Sequence, residues 1–190
     1  IGNNCYIGDN CIIGLPYKGK LKNKLLIIGD NSIVRSHTVI YEGSNLGRNL
    51  ETGHHSIIRE NTTAGINFRI GSFCDVEGDC QIGDYLRCHS YVHIGKGAKI
   101  GNFVWIFSLV TLTNDPLPPS HIHSPVLLED GVVVCVGCTL LPGSVMKMGS
   151  FAASNTVVRG IIPPAKVVSG ASSKILGSVK NLYNLENKIS

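Results

Sequence analysis

The apolar residues of this chain recur at every sixth position. Stepping from Ile28, the comb reads Ile28, Val34, Ile40, Leu46, Thr52, Ile58, Ala64, Ile70, Val76, Ile82, Cys88, Ile94, Ile100, Ile106 and Leu112. All but Thr52 are apolar, in a chain that is 43% hydrophobic overall. The comb also appears at Ile1, Ile7 and Ile13, and again at Leu128, Val134, Leu140, Met146, Ala152 and Val158. An α-helix repeats near 3.6 residues and a lone strand near 2, so neither produces this spacing. A fixed short repeat predicts a parallel β-helix in which each hexad forms one face and one corner of a triangular coil. Residues one coil apart then stack, and strands about 4.8 Å apart give roughly eight coils and a prism about 40 Å long.

The breaks in the comb define the organisation. The expected arrangement is an all-β parallel β-helix over residues 1–165, with loop insertions at about 15–27 and 113–127, and a C-terminal extension over 166–190. The first insertion is Lys-rich (Lys18, Lys20, Lys22, Lys24). The second, TNDPLPPSHIHSPVL, is rich in Pro and His. Pro163-Pro164 is expected to end the coil, because proline cannot donate a ladder hydrogen bond. Beyond it Ile175, Val179, Leu182 and Ile189 fall at helical spacing, which predicts a short C-terminal α-helix.

Composition adjusts this picture only slightly. A net charge of +4 without a Lys/Arg run favours small anionic ligands over nucleic acid. No apolar run is long enough to cross a membrane as a helix, and Ile1 opens in register with no sign of a signal peptide. Five of the seven cysteines (Cys5, Cys11, Cys74, Cys80, Cys138) occupy the fifth hexad place, which is otherwise filled mostly by small residues. They read as core filler and, as free thiols, suggest the cytoplasm.

The second hexad place carries most of the candidate chemistry. It is usually glycine, which is expected if the turn requires a positive φ. One corner is glycine at 29, 47, 65, 83 and 101. The other two corners carry Arg35, His89 and Phe107, and Tyr41, Arg59 and Glu77. Large polar residues at a glycine place suggest function. Arg59 and Glu77 stack one coil apart as an expected ion pair, with Glu77 also suited to a sugar hydroxyl or amine. His37, His54, His55 and His89 share one corner, and histidine is the default base at neutral pH. For a three-histidine metal site His54, His89 and His93 come nearest. They leave the turn at different points, so no metal is expected.

The stretches TGHHSIIREN (52–61), VEGDCQIGD (76–84), RCHSYVHIGKGAKIGNFVWI (87–106) and VTLTNDPLPPS (110–120) resemble the hexapeptide-repeat, left-handed β-helix acyltransferases, most closely the N-acetyltransferases of nucleotide-linked amino sugars. The resemblance covers residues 1–170. It implies a homotrimer with active sites between subunits, acetyl-CoA as acyl donor, a nucleotide-sugar acceptor and a place in polysaccharide biosynthesis. It implies His54, His89 and Asn114 as catalytic residues, and Arg59, Glu77, Tyr91 and Asp115 against the substrate. Gly137, Lys147, Ser154, Arg159 and Lys166 would then lie against the coenzyme. The chain has Tyr91 where many relatives carry Asn, and Gly170-Ala171-Ser172-Ser173 where they end in Gly-Asn-Pro-Ala. The alternatives are a sugar O-acetyltransferase, a γ-class carbonic-anhydrase-like metalloenzyme and a non-catalytic trimerisation spacer.

Overall fold

A computed structural model describes residues 1–17, 24–119 and 121–170. Nearly every face is a two-residue strand whose first side chain points out and whose second, the comb residue that holds the first hexad place, points in, as in Ile57–Ile58 and Val157–Val158. The strands stack into three parallel sheets of nine, eight and eight strands. The first face starts at Tyr6–Ile7, the second at Ile12–Leu15 and the third at Ile27–Ile28. The chain passes from first to second to third face and back. One coil is 18 residues: Gln81 pairs with Lys99 and Val76 with Ile94. The core is the stacked comb, with Val34, Ile58, Val76, Ile106 and Leu140 fully buried. Among the described residues no helix is long and apolar enough to cross a membrane.

Both insertions leave from the second–third corner. They shift the register so that Ile13 pairs with Ile40 and Ile100 with Leu128. Lys18, Lys20 and Lys22, and the expected C-terminal helix, lie outside the described residues. The prolines do not end the coil. Pro163 and Pro164 sit in a corner, and Val167–Val168 still pairs with Phe151–Ala152 beyond them. Pro163 holds the second place of the last described coil, where no further described coil accepts an N–H.

The expected reason for glycine at the second place is also corrected. Positive φ occurs at the fourth place, held by Asn31, Asn49, Asn67, His55, Phe73, Tyr91 and Gly137, among others. Asparagine tolerates that region best among residues with side chains. The second place needs glycine for space. A Cβ on Gly29 would meet the backbone of Gly47 and Arg48, and one on Gly71 the backbone of His89 and Ser90. Below the long loop the third–first corner also takes side chains there, and Lys147 reaches Glu129 at 2.7 Å.

Arg35 shows how one side chain is accommodated, and it explains the polar tooth in the comb. Gly29, Gly53 and His89 each donate a backbone N–H to the carbonyl of the comb residue one coil on. At Arg35 the N–H goes to the Thr52 hydroxyl at 3.0 Å, and the guanidinium Nη1 takes the Thr52 carbonyl at 2.7 Å. Thr38 Oγ1 lies 3.2 Å from the same hydroxyl. Thr52, wholly buried, thus satisfies a ladder position whose carbonyl is taken by the Arg35 guanidinium.

Candidate functional site

The first–second corner gathers four of the seven histidines. His37, His55, Phe73 and Tyr91 hold the fourth place of successive coils, and their rings stack at 4.5, 5.0 and 5.2 Å between centroids. The positive φ common to these residues aims each ring along the same edge. Tyr91 is therefore the exposed end of an aromatic column. His54 holds the third place, with Nδ1 2.8 Å from Ser36 Oγ and its backbone N–H donated to Ser72 Oγ at 3.0 Å. His89 stacks on Phe107 at 4.7 Å. His54 and His89 both line a groove of about 510 Å³ that also touches Arg35, Arg69, Arg87 and Ser108. If Ser36 accepts from Nδ1–H, the Nε2 of His54 is left unprotonated and able to take a proton.

The second–third corner gathers charge. Arg59 and Glu77 do meet, at 3.9 Å, but the guanidinium fork rests on Glu60, with Nε and Nη2 at 3.1 and 3.0 Å. Glu60 is 4% exposed. Its significance was not visible in the sequence, because it occupies a third place where polar residues are ordinary. Glu77 accepts the Lys96 N–H at 2.7 Å, and Lys96 pairs with Asp79 at 3.2 Å. The long loop springs from this corner. Ser124 N–H closes its stem on the Asn114 carbonyl at 2.7 Å, Asn114 packs over Gly95, and Asp115 Oδ1 accepts the Leu117 N–H at 3.3 Å. Within one chain, then, His54, His89 and Tyr91 stand on one corner, while Arg59, Glu77, Asn114 and Asp115 stand on another.

The residues expected at the coenzyme are spread over all three corners. Gly137 and Ser154 are on the first–second corner, Lys147 and Lys166 on the third–first, and Arg159 on the second–third. Lys147 is already held by Glu129, whereas Ser154, Arg159 and Lys166 are exposed. A hollow of about 570 Å³ on the third face, beside Gln81, Lys99 and Leu127, contains none of the expected site residues.

His93 stands apart from the other histidines, on the second face, with Nδ1 3.2 Å from Asp75 Oδ2. The pair joins register partners on adjacent strands. The hydrogen bond to Asp75, opposed by partial burial and aided by the charges of Asp75 and Glu77, raises the His93 pKa above its ordinary value. Its contribution to stability is therefore complete below the unfolded value near 6.5 and is lost as pH rises through the folded one. Both side chains are more than a third exposed, at 38% and 42%, so solvent keeps the energy small. Asp75→Asn is expected to lower the titration midpoint of His93 in NMR spectra; an unchanged midpoint would show that the pair does not form.

Cys74, Cys80, Cys88 and Cys138 are buried. Burial pushes the Cys80 thiol up to about 12 and Cys88 well above the usual thiol range, as suits core filler. Among the described residues no three His, Cys, Asp or Glu side chains converge as a metal site.

No known family's sequence profile matches the chain, and neither does any curated protein. Among solved structures it is similar to the UDP-N-acetylglucosamine acyltransferase of Francisella novicida, at 19% identity and a TM-score of 0.37, over 96% of this chain and 67% of that one. It is also similar to the polysialic acid O-acetyltransferase OatWY, at 14% identity and a TM-score of 0.39, over 98% of this chain and 99% of that one. By its own strand pairing, the chain is a three-faced parallel β-helix of hexapeptide repeats.

Proposed function

We propose that this protein is an acyl-CoA-dependent acyltransferase that moves an acetyl group from acetyl-CoA to an amino group of a nucleotide-linked sugar. It would work as a homotrimer with sites between subunits. The observation that carries the reading is the groove at the first–second corner, lined by two histidines, His54 and His89, and three arginines, Arg35, Arg69 and Arg87. The loop corner of a neighbouring subunit would bring Asn114 and Asp115 to that groove, since a single chain holds them on a different edge. Fold alone does not choose this chemistry, and the motifs from Thr52 to Ser120 give it its direction.

In the reaction the neutral amine attacks the thioester carbonyl, the C–N bond forms and the C–S bond breaks. The amine proton passes to His54 or His89, or to the departing thiolate. Donors around the groove would stabilise the tetrahedral oxyanion. Glu77 and Arg59 would orient the sugar, with Tyr91 bounding its pocket. Gly137, Lys147, Ser154, Arg159 and Lys166 would contact the coenzyme, with Lys147 first leaving Glu129. The Ser36–His54 bond also suits a base for hydroxyl attack, which keeps sugar O-acetylation as the second reading.

The test is thiol release from acetyl-CoA with a panel of nucleotide amino sugars and of unmodified sugars. Release that depends on the amino sugar is the expected result. His54→Ala and His89→Ala then separate the two readings, because a hydroxyl acceptor cannot do without its base. Near-normal turnover in both variants would remove the O-acetyl reading. Stoichiometric zinc or cobalt in the purified protein, or no acceptor-dependent release, would overturn the proposal.

A further inference from the structure

Across the first face, beside the histidine groove, lies a second hollow of about 330 Å³, lined by Asn67, Arg69, Tyr85, Arg87, Phe103 and Trp105, with Leu86 behind. The two hollows share Arg69 and Arg87, so they adjoin across the first face as a two-part trough, with the arginines between the third–first and first–second corners. Arg69 and Arg87 are register partners on neighbouring strands, which places their backbones about 4.8 Å apart. Like charges directly opposite one another destabilise a sheet. Glu51 is the carboxylate serving this row, and it is shared. Its Oε1 takes Arg35 at 2.8 Å and its Oε2 takes Arg69 at 3.1 Å. Among the described residues no carboxylate pairs with Arg87, whose guanidinium lies 5.0 Å from the centre of the Trp105 ring. The trough therefore holds uncompensated positive charge at its middle.

Its far end is aromatic. Tyr85 and Phe103 stack at 4.9 Å and within 9° of parallel, and both are exposed. The next residue of that column is Gly131, so the far face of Phe103 meets no side chain of the column. Guanidinium forks match phosphate oxygens two at a time, and exposed parallel rings are platforms for a planar base.

We infer that this trough binds a nucleoside diphosphate. The pyrophosphate bridges Arg69 and Arg87, the base lies against Tyr85, Phe103 and Trp105, and the group beyond the second phosphate points toward His54 and His89. Only that last direction rests on the acyl-transfer reading. The same chemistry occurs in a nucleotide sugar and in CoA itself, so either could be the source.

The test is calorimetric titration of UDP, dTDP, ADP, CoA and inorganic pyrophosphate into the full-length wild type, Arg87→Gln and Trp105→Leu, at low salt. Both positions are exposed, and circular dichroism checks that the fold is kept. The expected result is nucleotide binding tighter than pyrophosphate binding, weakened about tenfold or more by Arg87→Gln and measurably by Trp105→Leu. Preference for UDP or dTDP would assign the trough to the acceptor, and preference for CoA to the donor. Absence of nucleotide binding, or affinity unchanged in a folded Arg87→Gln, would overturn the site. So would a variant that changes only the sedimentation of the protein, since that would make the face a subunit contact. Nucleotide binding without acyl transfer would sink the proposed reaction and leave this site standing.

Discussion

Gly53→Val is expected to destabilise the protein by about 4 kcal/mol, at the severe end for a single substitution, read as the shift of the urea unfolding midpoint at unchanged slope. The cause is space and not φ. A Cβ at position 53 would run into the backbone of Gly71 and Ser72 on the next coil. That backbone cannot give way, because it is fixed from both sides: Gly53 N–H bonds to the Ile70 carbonyl at 2.7 Å and Gly71 N–H to the Cys88 carbonyl at 3.0 Å. Gly149→Asn is the control. Gly149 has a φ of +63° and nothing within 4 Å of a built Cβ, and Asn31, Asn49, Asn67 and Asn155 hold the same place of their hexads. It should change stability by less than about 1 kcal/mol. Equal losses at the two positions would refute the distinction between them.

Arg59→Met should have the next largest effect, a loss of about 3 kcal/mol at neutral pH, because removing the half-buried arginine leaves the charge of the buried Glu60 uncompensated. The fork of Arg59 covers both oxygens of Glu60, and Glu77 at 3.9 Å adds less. Arg59→Met combined with Glu60→Gln should recover much of the loss, because the second change removes the stranded charge. No recovery in the double variant would mean that Arg59 acts through its packing over the Tyr17 ring, 5.4 Å away.

Both results turn on details that a one-dimensional pattern represents only in part. The six-residue comb carried the architecture, because an inward strand residue recurs once per face and nothing else in protein geometry repeats at six. It also carried both insertions and the grouping of His37, His54, His55 and His89 on one edge, since a separation of 18 is a stack. The glycine rule was legible as a pattern and misread as a cause. Gly29 and Asn31 look like two turn residues, and only the neighbouring coil shows that the first is there for space and the second for φ. Pro163 and Pro164 looked like a stop because the sequence does not reveal that they fall in a corner.

The site was less legible than the fold. Thr52 stood out as the polar tooth of the comb, yet its partnership with Arg35 depends on a ladder bond between coils. Glu60 was invisible, since its burial comes from the arginine folded over it and from Gly78 one coil on. The Arg69–Arg87 pair was present as two residues 18 apart. Its meaning depends on which carboxylate lies within reach, and Glu51 is already divided between Arg35 and Arg69.

By itself the sequence determined the period, the coil, the three edges and the residues on each, because backbone stacking turns spacing into position. The tertiary structure alone decided which side chains pair, which are buried and which charges stay unanswered. Those depend on the distances between coils and on competition among neighbours for the same few hydrogen bonds.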